Sequence, residues 1–170
     1  TQNVERSLKV ARYKSGKYTI QRPLHFGASL AGASEELINS YTNYGIPLGE
    51  AFQLRDDLLG VFGDPSVTGK PAGDDLREGK RTALIAITMD RATNGQLKDL
   101  KSNFGDPNLT SEQVNLLQEI IISTGAASHI ESMIKELTDT SLAALKHGGI
   151  TPVGINLLTE LAILATNRKI

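Results

Sequence analysis

The chain has 170 residues, 39% hydrophobic and 22% charged, with a formal net charge of -1, which is the balance of a globular protein with a core of its own. It carries no concentrated basic stripe and no acidic tail, so nucleic-acid binding is not expected. The absence of cysteine excludes disulfides and thiolate metal sites, and because no apolar run approaches the roughly 18 residues that cross a bilayer, we expect a cytoplasmic protein without stable membrane insertion.

Apolar residues recur with helical spacing along the whole chain, and no segment alternates with a period of two. The first helix should end where Lys14-Ser15-Gly16 interrupts the pattern. Because this helix has no capping residue ahead of it, we expect the sequence to be a piece of something longer. The predicted helices cover residues 1–13, 35–62, 82–92, 95–104, 111–124, 126–147 and 152–169.

Helix starts are marked by residues that satisfy the free N–H groups of a first turn. Ser34 precedes two glutamates, and Thr110 with Gln113 has the spacing of a capping box. Thr151 followed by Pro152 marks the start of the last helix. These signals predict an all-α protein in which residues 1–170 form a single helical domain.

The most informative stretch begins with three polar residues on one side of the long helix. Gln53 lies three and four positions before Asp56 and Asp57, so the three project together, and Gly49 and Gly60 on the same side should leave room beside the acids. Two adjacent carboxylates among apolar neighbours repel each other and are costly to desolvate, and a divalent cation relieves both problems. Mg²⁺ suits such a site because one or two carboxylates, waters and phosphate oxygens are its usual ligands.

The helix is followed by a glycine-rich loop, TGKPAGDDLREGK, which carries Lys70 and Lys80. Each lysine can deliver a point charge to phosphate, and the loop glycines should let the backbone approach a ligand closely. Taken separately, an acid pair is usually a solvated helix face and such a loop an ordinary surface connection. Their occurrence together within one short span favours a metal and phosphate site. The loop is not a P-loop, because the glycine spacing and the preceding strand are missing.

FQLRDD followed by GKPAGDDLREGKRT closely resembles the second aspartate-rich region of the trans-isoprenyl diphosphate synthases, whose pattern is FQxxDDxxD and then GKxxGxDLxxGKxT. Upstream, Lys14-Ser15-Gly16 with Gly27-Ala28 resembles the K-[T/S]-G segment and GA step of the same family. The three motifs occur in the family's order. The resemblance covers essentially the whole chain but only the C-terminal part of a usual family sequence, and it implies a terpenoid-synthase-like helical bundle.

By this resemblance, Asp56 and Asp57 would ligate Mg²⁺ that bridges to the diphosphate of an allylic substrate. The implied reaction is ionisation of the allylic diphosphate, attack by the double bond of isopentenyl diphosphate, and loss of a proton. A short-chain product similar to geranylgeranyl diphosphate is implied by the overall likeness to bacterial enzymes. Homodimerisation is implied as well.

The resemblance also implies roles for five further side chains. Three lysines would contact the diphosphate and neutralise its charge as it leaves, and two polar residues would lie near the allylic carbons and help to stabilise the carbocation. These residues are Lys14, Lys70 and Lys80 for the diphosphate, and Ser15 and Gln53 for the carbocation.

Two departures from the family pattern matter. Gly60 stands where the third aspartate of DDxxD is expected, and Asp64 cannot replace it because Pro65 ends the helix there. No first aspartate-rich motif and no N-terminal isopentenyl diphosphate region occurs in these residues. We therefore expect this chain alone to be inactive, and we expect a half-bundle to expose apolar faces and to self-associate.

Two other functions remain open at this point. A non-catalytic regulatory or scaffold subunit that retained the fold would explain the missing motifs, although such a protein needs neither the lysines nor the acid pair. A terpene cyclase with the same fold is a less well supported alternative, because the GKPAGDDLREGK loop is characteristic of the synthases.

Overall fold

The computed structural model describes residues 2–69 and 71–168, and within these ranges every regular element is a helix. The predicted all-α fold is therefore confirmed. None of the described helices combines the length and the apolar character that crossing a bilayer requires. The α-helices are α1 (Gln2–Ala11), α2 (Arg22–Leu30), α3 (Glu35–Phe62), α4 (Pro65–Thr68), α5 (Asp74–Arg77), α6 (Ala83–Arg91), α7 (Asn94–Asn103), α8 (Ser111–Ser123), α9 (Ala126–Ala144) and α10 (Pro152–Thr166).

A π-helix, Arg12–Gln21, joins α1 directly to α2. At its end the N–H of Arg22 donates to the carbonyl of Lys17, five residues earlier, which is the hydrogen bond that defines this wider helix. The prediction that Lys14-Ser15-Gly16 ends the first helix is therefore wrong. The three residues lie inside the π-helix, a conformation that is rare and frequent at functional sites.

The capping signals, in contrast, were reliable. Thr110 and Gln113 form the predicted capping box of α8, with N–H donation to the partner's side chain in both directions. Thr151 accepts from the N–H of Gly154 at the start of α10, with Pro152 in the first turn. Thr82 caps α6 in the same way. Each cap satisfies N–H groups that have no partner within the helix.

The chain divides into two compact units, one of residues 2–7 and 56–131 and one of residues 8–55 and 132–168. In the first unit α8 packs against α6 and α7, and α6 is buried over most of its length. In the second unit a core forms around four residues of α3, α10 and the segment after α9. These are Tyr44, Leu48, Leu145 and Ala162. That residues 1–170 form a single domain stays a prediction.

The last helix carries an exposed apolar face. Val153, Leu157, Leu161 and Leu164 recur at helical spacing along α10, and each leaves at least half of its surface in solvent. This is the kind of exposed face that the sequence predicted. Self-association through it stays a prediction.

Within the second unit, the π-helix crosses α3 with almost no space between the two backbones. A methyl group on Gly49 would overlap the backbone of Gly16 and lie 2.5 Å from the carbonyl carbon of Ser15. One helical turn earlier, a methyl group on Gly45 would lie 3.1 Å from the Cα of Gln21. The room that the sequence predicted beside Gly49 is therefore filled by protein backbone.

Gly49→Ala should destabilise the fold, because the added methyl group meets backbone atoms that cannot rotate away. We expect a loss of about 2 kcal/mol or more in the free energy of unfolding, measured by urea denaturation of the purified chain. Gly27→Ala in α2 is the matched control, because nothing lies within 4 Å of its added methyl group and alanine favours a helix by roughly 0.5–1 kcal/mol. Equal effects of the two substitutions would contradict the close crossing.

Candidate active site

Three of the predicted site residues lie on α3. Gln53, Asp56 and Asp57 belong to one uninterrupted helix at the spacing that places them on the same side. Gln53 and Asp56 are half-buried, whereas Asp57 is only 8% exposed. All three engage neighbouring groups. Asp56 is therefore the more accessible of the two carboxylates.

The structure joins the π-helix motif to α3 through one hydrogen bond. The Oγ of Ser15 donates to the Oε1 of Gln53 at 2.8 Å, although the residues are 38 positions apart in sequence. Ser15 is 3% exposed, and the glycine contact described above brings its backbone against α3. Lys14, the neighbouring residue, is exposed. Two residues that the sequence assigned to one role are thus in direct contact.

An ion pair between an exposed arginine and a buried glutamate lies beside this contact and was not predicted. The guanidinium Nε of Arg12, on the π-helix, lies 2.5 Å from the Oε1 of Glu50, which is 6% exposed. The hydrogen bond and the charge of Glu50 raise the pKa of Arg12 above its usual value. A carboxylate buried without this partner would be costly, so the pair holds the π-helix in register on α3.

α3 also holds the end of α10. The Nε of Arg55 donates to the carbonyl oxygen of Thr166 at 2.7 Å, satisfying an acceptor in the last turn, where a cation is also favoured by the helix dipole. The guanidinium of Arg168 stacks over the ring of Phe52, 4.7 Å from its centre. Both residues on α3 lie close to Gln53 along the helix, and no local pattern in the sequence indicates either contact.

The glycine-rich loop after α3 is tied to its own unit by protein contacts. Its two short helices, α4 and α5, were not predicted. Gly79 adopts a φ of 65°, which favours glycine, and a methyl group there would lie 3.0 Å from the Cα of Gly105. The N–H of Gly105 donates to the carbonyl of Leu76 at 2.9 Å. This glycine therefore permits close packing on protein, and the expected approach to a ligand stays a prediction.

Lys80 is held by two carboxylates of the loop. Its Nζ lies 2.5 Å from Oδ1 of Asp75 and 3.2 Å from Oε2 of Glu78. Burial would lower the pKa of Lys80, but the hydrogen bonds to the two carboxylates outweigh it, and the pKa is raised. Lys70, the other predicted loop lysine, lies outside the described residues.

The space beside Gly60, where the family pattern has its third acid, is occupied by the side chain of Asp75. A methyl group on Gly60 would overlap Cγ and Oδ2 of Asp75 and lie 2.7 Å from its Oδ1. The room that the sequence predicted beside this glycine is thus filled by the carboxylate of the loop. In the sequence, the only indication of this contact is the glycine at position 60.

Comparison with known proteins identifies the family of this chain. The model of the polyprenyl synthetase family matches residues 1–121, which is more than half of the chain. The chain belongs to the polyprenyl synthetase family. The resemblance read from the three sequence motifs is therefore confirmed.

Individual relatives are prenyl diphosphate synthases. The chain is 38% identical over 125 residues to geranylfarnesyl diphosphate synthase of Aeropyrum pernix, covering 74% of this chain and 38% of that protein. It is 32% identical to geranylgeranyl diphosphate synthase of Saccharolobus solfataricus, covering 71% of this chain and 36% of the relative.

A solved structure of geranylgeranyl pyrophosphate synthase from Corynebacterium glutamicum, in complex with isoprenyl diphosphate and magnesium, superposes with a TM-score of 0.94 at 46% identity. It covers 98% of this chain, and the chain covers 47% of it. The chain thus spans less than half the length of these relatives of the polyprenyl synthetase family.

The donor set of this polyprenyl synthetase chain fits magnesium in one respect. Asp56 and Asp57 supply adjacent oxygen donors, and Asp56 keeps part of its surface in solvent. Among the described residues no group of three histidines or acids lies together as a metal cage. Two carboxylates suit a cation that takes its remaining ligands from water and phosphate, as Mg²⁺ does.

Lys80 should make the free energy of unfolding of the chain depend on pH in the alkaline range. Because the pKa of Lys80 in the folded chain is raised above its ordinary value of 10.5, its contribution is fully present below that pH and is lost as the pH rises through the raised value. The difference in unfolding free energy between wild type and Lys80→Gln should therefore shrink above pH 10.5. Lys98→Gln, at an exposed position on α7, is the control. The same pH dependence in both variants would contradict the pairing of Lys80.

Proposed function

We propose that the gene product carrying this chain is a Mg²⁺-dependent prenyltransferase that condenses isopentenyl diphosphate with an allylic diphosphate to give a short-chain, geranylgeranyl-like diphosphate. The observation that carries the proposal is the hydrogen bond between Ser15 and Gln53, since it unites two family motifs that are far apart in sequence. The likeness to geranylgeranyl diphosphate synthases supports the choice of product.

In the proposed reaction the allylic C–O bond breaks and its electron pair leaves with pyrophosphate. The π electrons of isopentenyl diphosphate then form the new C–C bond, and a proton passes to pyrophosphate, the base released by the first step. Asp56 and Asp57 would hold Mg²⁺, which would supply positive charge to the departing diphosphate. By the family resemblance, Lys14, Lys70 and Lys80 would contribute positive charge to the diphosphate.

The two polar residues in contact have a different role in this proposal. The Oγ lone pairs of Ser15 and the amide oxygen of Gln53 are partial negative charges that favour an allylic cation. Because each oxygen is fixed by the other through a 2.8 Å hydrogen bond, neither has to reorganise when the cation forms.

A second candidate is a non-catalytic subunit that retains the fold. It is favoured by Gly60 in place of an acid and by the absence, among the described residues, of a three-acid group that could hold a metal ion. The contact between Ser15 and Gln53 argues against it, since a scaffold requires no such pair. The two functions differ in whether prenyl transfer depends on Asp56.

Asp56→Ala should abolish most prenyl transfer by the gene product that carries this sequence. Loss of a metal ligand removes several kcal/mol of charge stabilisation, so we expect a decrease of about 100-fold or more in kcat/KM. The assay uses isopentenyl diphosphate, an allylic diphosphate and Mg²⁺, and mass spectrometry gives the product length. Asp99→Ala, at an exposed position on α7, is the matched control.

The outcomes separate the two functions. Transfer that Asp56→Ala removes and Asp99→Ala leaves intact supports the enzyme. A folded wild-type gene product that forms no product supports the non-catalytic subunit. Activity that is equal in Asp56→Ala and wild type would refute the metal role of Asp56.

We further propose that the gene product is a cytoplasmic homodimer. The lack of cysteine is compatible with a reducing compartment, and the family resemblance implies the dimer. Sedimentation velocity over a range of concentrations measures the assembly directly. A monomer at all concentrations would contradict the dimer.

A further inference from the structure

The contact between Gly60 and Asp75 leaves no space for a side chain at position 60. Three atoms of the Asp75 carboxylate group would lie within 2.7 Å of an added methyl group, well inside the separation of about 3.5 Å at which carbon atoms pack favourably. Any residue larger than glycine at position 60 must therefore displace this carboxylate.

Asp75 has little freedom to move. It is 7% exposed, and its carbonyl oxygen accepts from the N–H of Lys80 at 3.0 Å. The backbone of α5 is anchored on either side, because the carbonyl of Leu76 accepts from Gly105 and the guanidinium of Arg77 donates to the carbonyl of Ala72 at 2.7 Å. Displacing the carboxylate would therefore disturb its contact with the Lys80 ammonium.

The Lys80 ammonium depends on that carboxylate for its position. The Asp75 side chain is 9% exposed, whereas that of Lys80 is 43% exposed, so the pair extends from the interior to the surface. An ammonium has three N–H donors, and Asp75 and Glu78 account for two of them. The Asp75 contact therefore restricts where the remaining donor can meet an anion.

We propose that Gly60 is a positioning residue, which seats the Asp75 carboxylate against α3 so that it holds the Lys80 ammonium where a diphosphate binds. This inference rests on the proposed function, since that function assigns the diphosphate to Lys80. This chain would then require glycine at position 60 because it has no side chain, and the change from the family's aspartate would not be merely the loss of a carboxylate. A side chain at position 60 would weaken diphosphate binding even if it contributed no charge.

The test measures binding of inorganic pyrophosphate, with Mg²⁺ present, to the gene product by isothermal titration calorimetry. Gly60→Ala should weaken binding by about tenfold or more, because displacement of a binding group by a fraction of an ångström is costly. Gly95→Ala is the matched control: it also places alanine in a helix of the same unit, but nothing lies within 4 Å of its methyl group.

A double-mutant cycle with Lys80→Ala then separates positioning from a general effect on the fold. If Gly60 acts through Lys80, Gly60→Ala should change pyrophosphate affinity little once Lys80 has been removed. Additive losses would overturn the inference, because Gly60 would then act by another route. Circular dichroism of each variant confirms that the helices are retained.

The remaining outcomes are also decisive. If Lys80→Ala leaves pyrophosphate affinity unchanged, the proposed role of Lys80 fails and the inference fails with it. If Lys80→Ala weakens binding but Gly60→Ala does not, the inference alone is overturned. Should Gly60→Ala not fold, Asp75→Glu takes its place in the cycle, because it crowds the same space, keeps the charge and leaves α3 unchanged.

Discussion

The arrangement of the candidate site depends on the direct backbone contact between Gly16 and Gly49. Two helices usually pack 8–10 Å apart because side chains separate them, and here both glycines remove that separation at one point. Ser15 adjoins this point on the π-helix, and Gln53 follows Gly49 by one turn of α3. A short hydroxyl can therefore reach the glutamine amide, which no wider crossing would allow.

An ion pair between the exposed Arg12 and a buried carboxylate stabilises the same crossing from its neighbouring positions. Glu50 follows Gly49 directly and is almost fully removed from solvent, with the Arg12 guanidinium as its partner. Such pairs contribute little net stability, but separating the partners leaves a charge buried without compensation. A shift of the π-helix along α3 would separate them, so the pair selects one register among those that two glycines alone would permit.

Capping signals in the sequence predicted helix starts correctly, whereas the π-helix and the contacts between distant residues were missed. Thr110 with Gln113, and Thr151 with Pro152, act within a few residues, so their caps could be predicted from spacing. The π-helix could not, because its hydrogen bonds differ from those of an α-helix by one position and its sequence has no distinct period. The candidate site residues were inferred from the acid pair, the loop lysines and the family motifs, whereas the partners Glu50 and Asp75 become visible only when the chain is folded.

The loop is packed on protein at one of its glycines and carries Lys80, a candidate ligand-binding residue, at its end. Gly79 allows the loop to pack on Gly105, and α5 is hydrogen-bonded to the residues around it. A lysine on a mobile loop would lose much of its binding energy in being ordered, by roughly 0.5–1.5 kcal/mol for its side chain alone. Because Lys80 is already held by Asp75 and Glu78, part of that ordering is complete before any anion arrives. The protein contacts of the loop therefore fix the Lys80 ammonium before an anion binds, and its third N–H donor is the one that our proposal gives to the diphosphate.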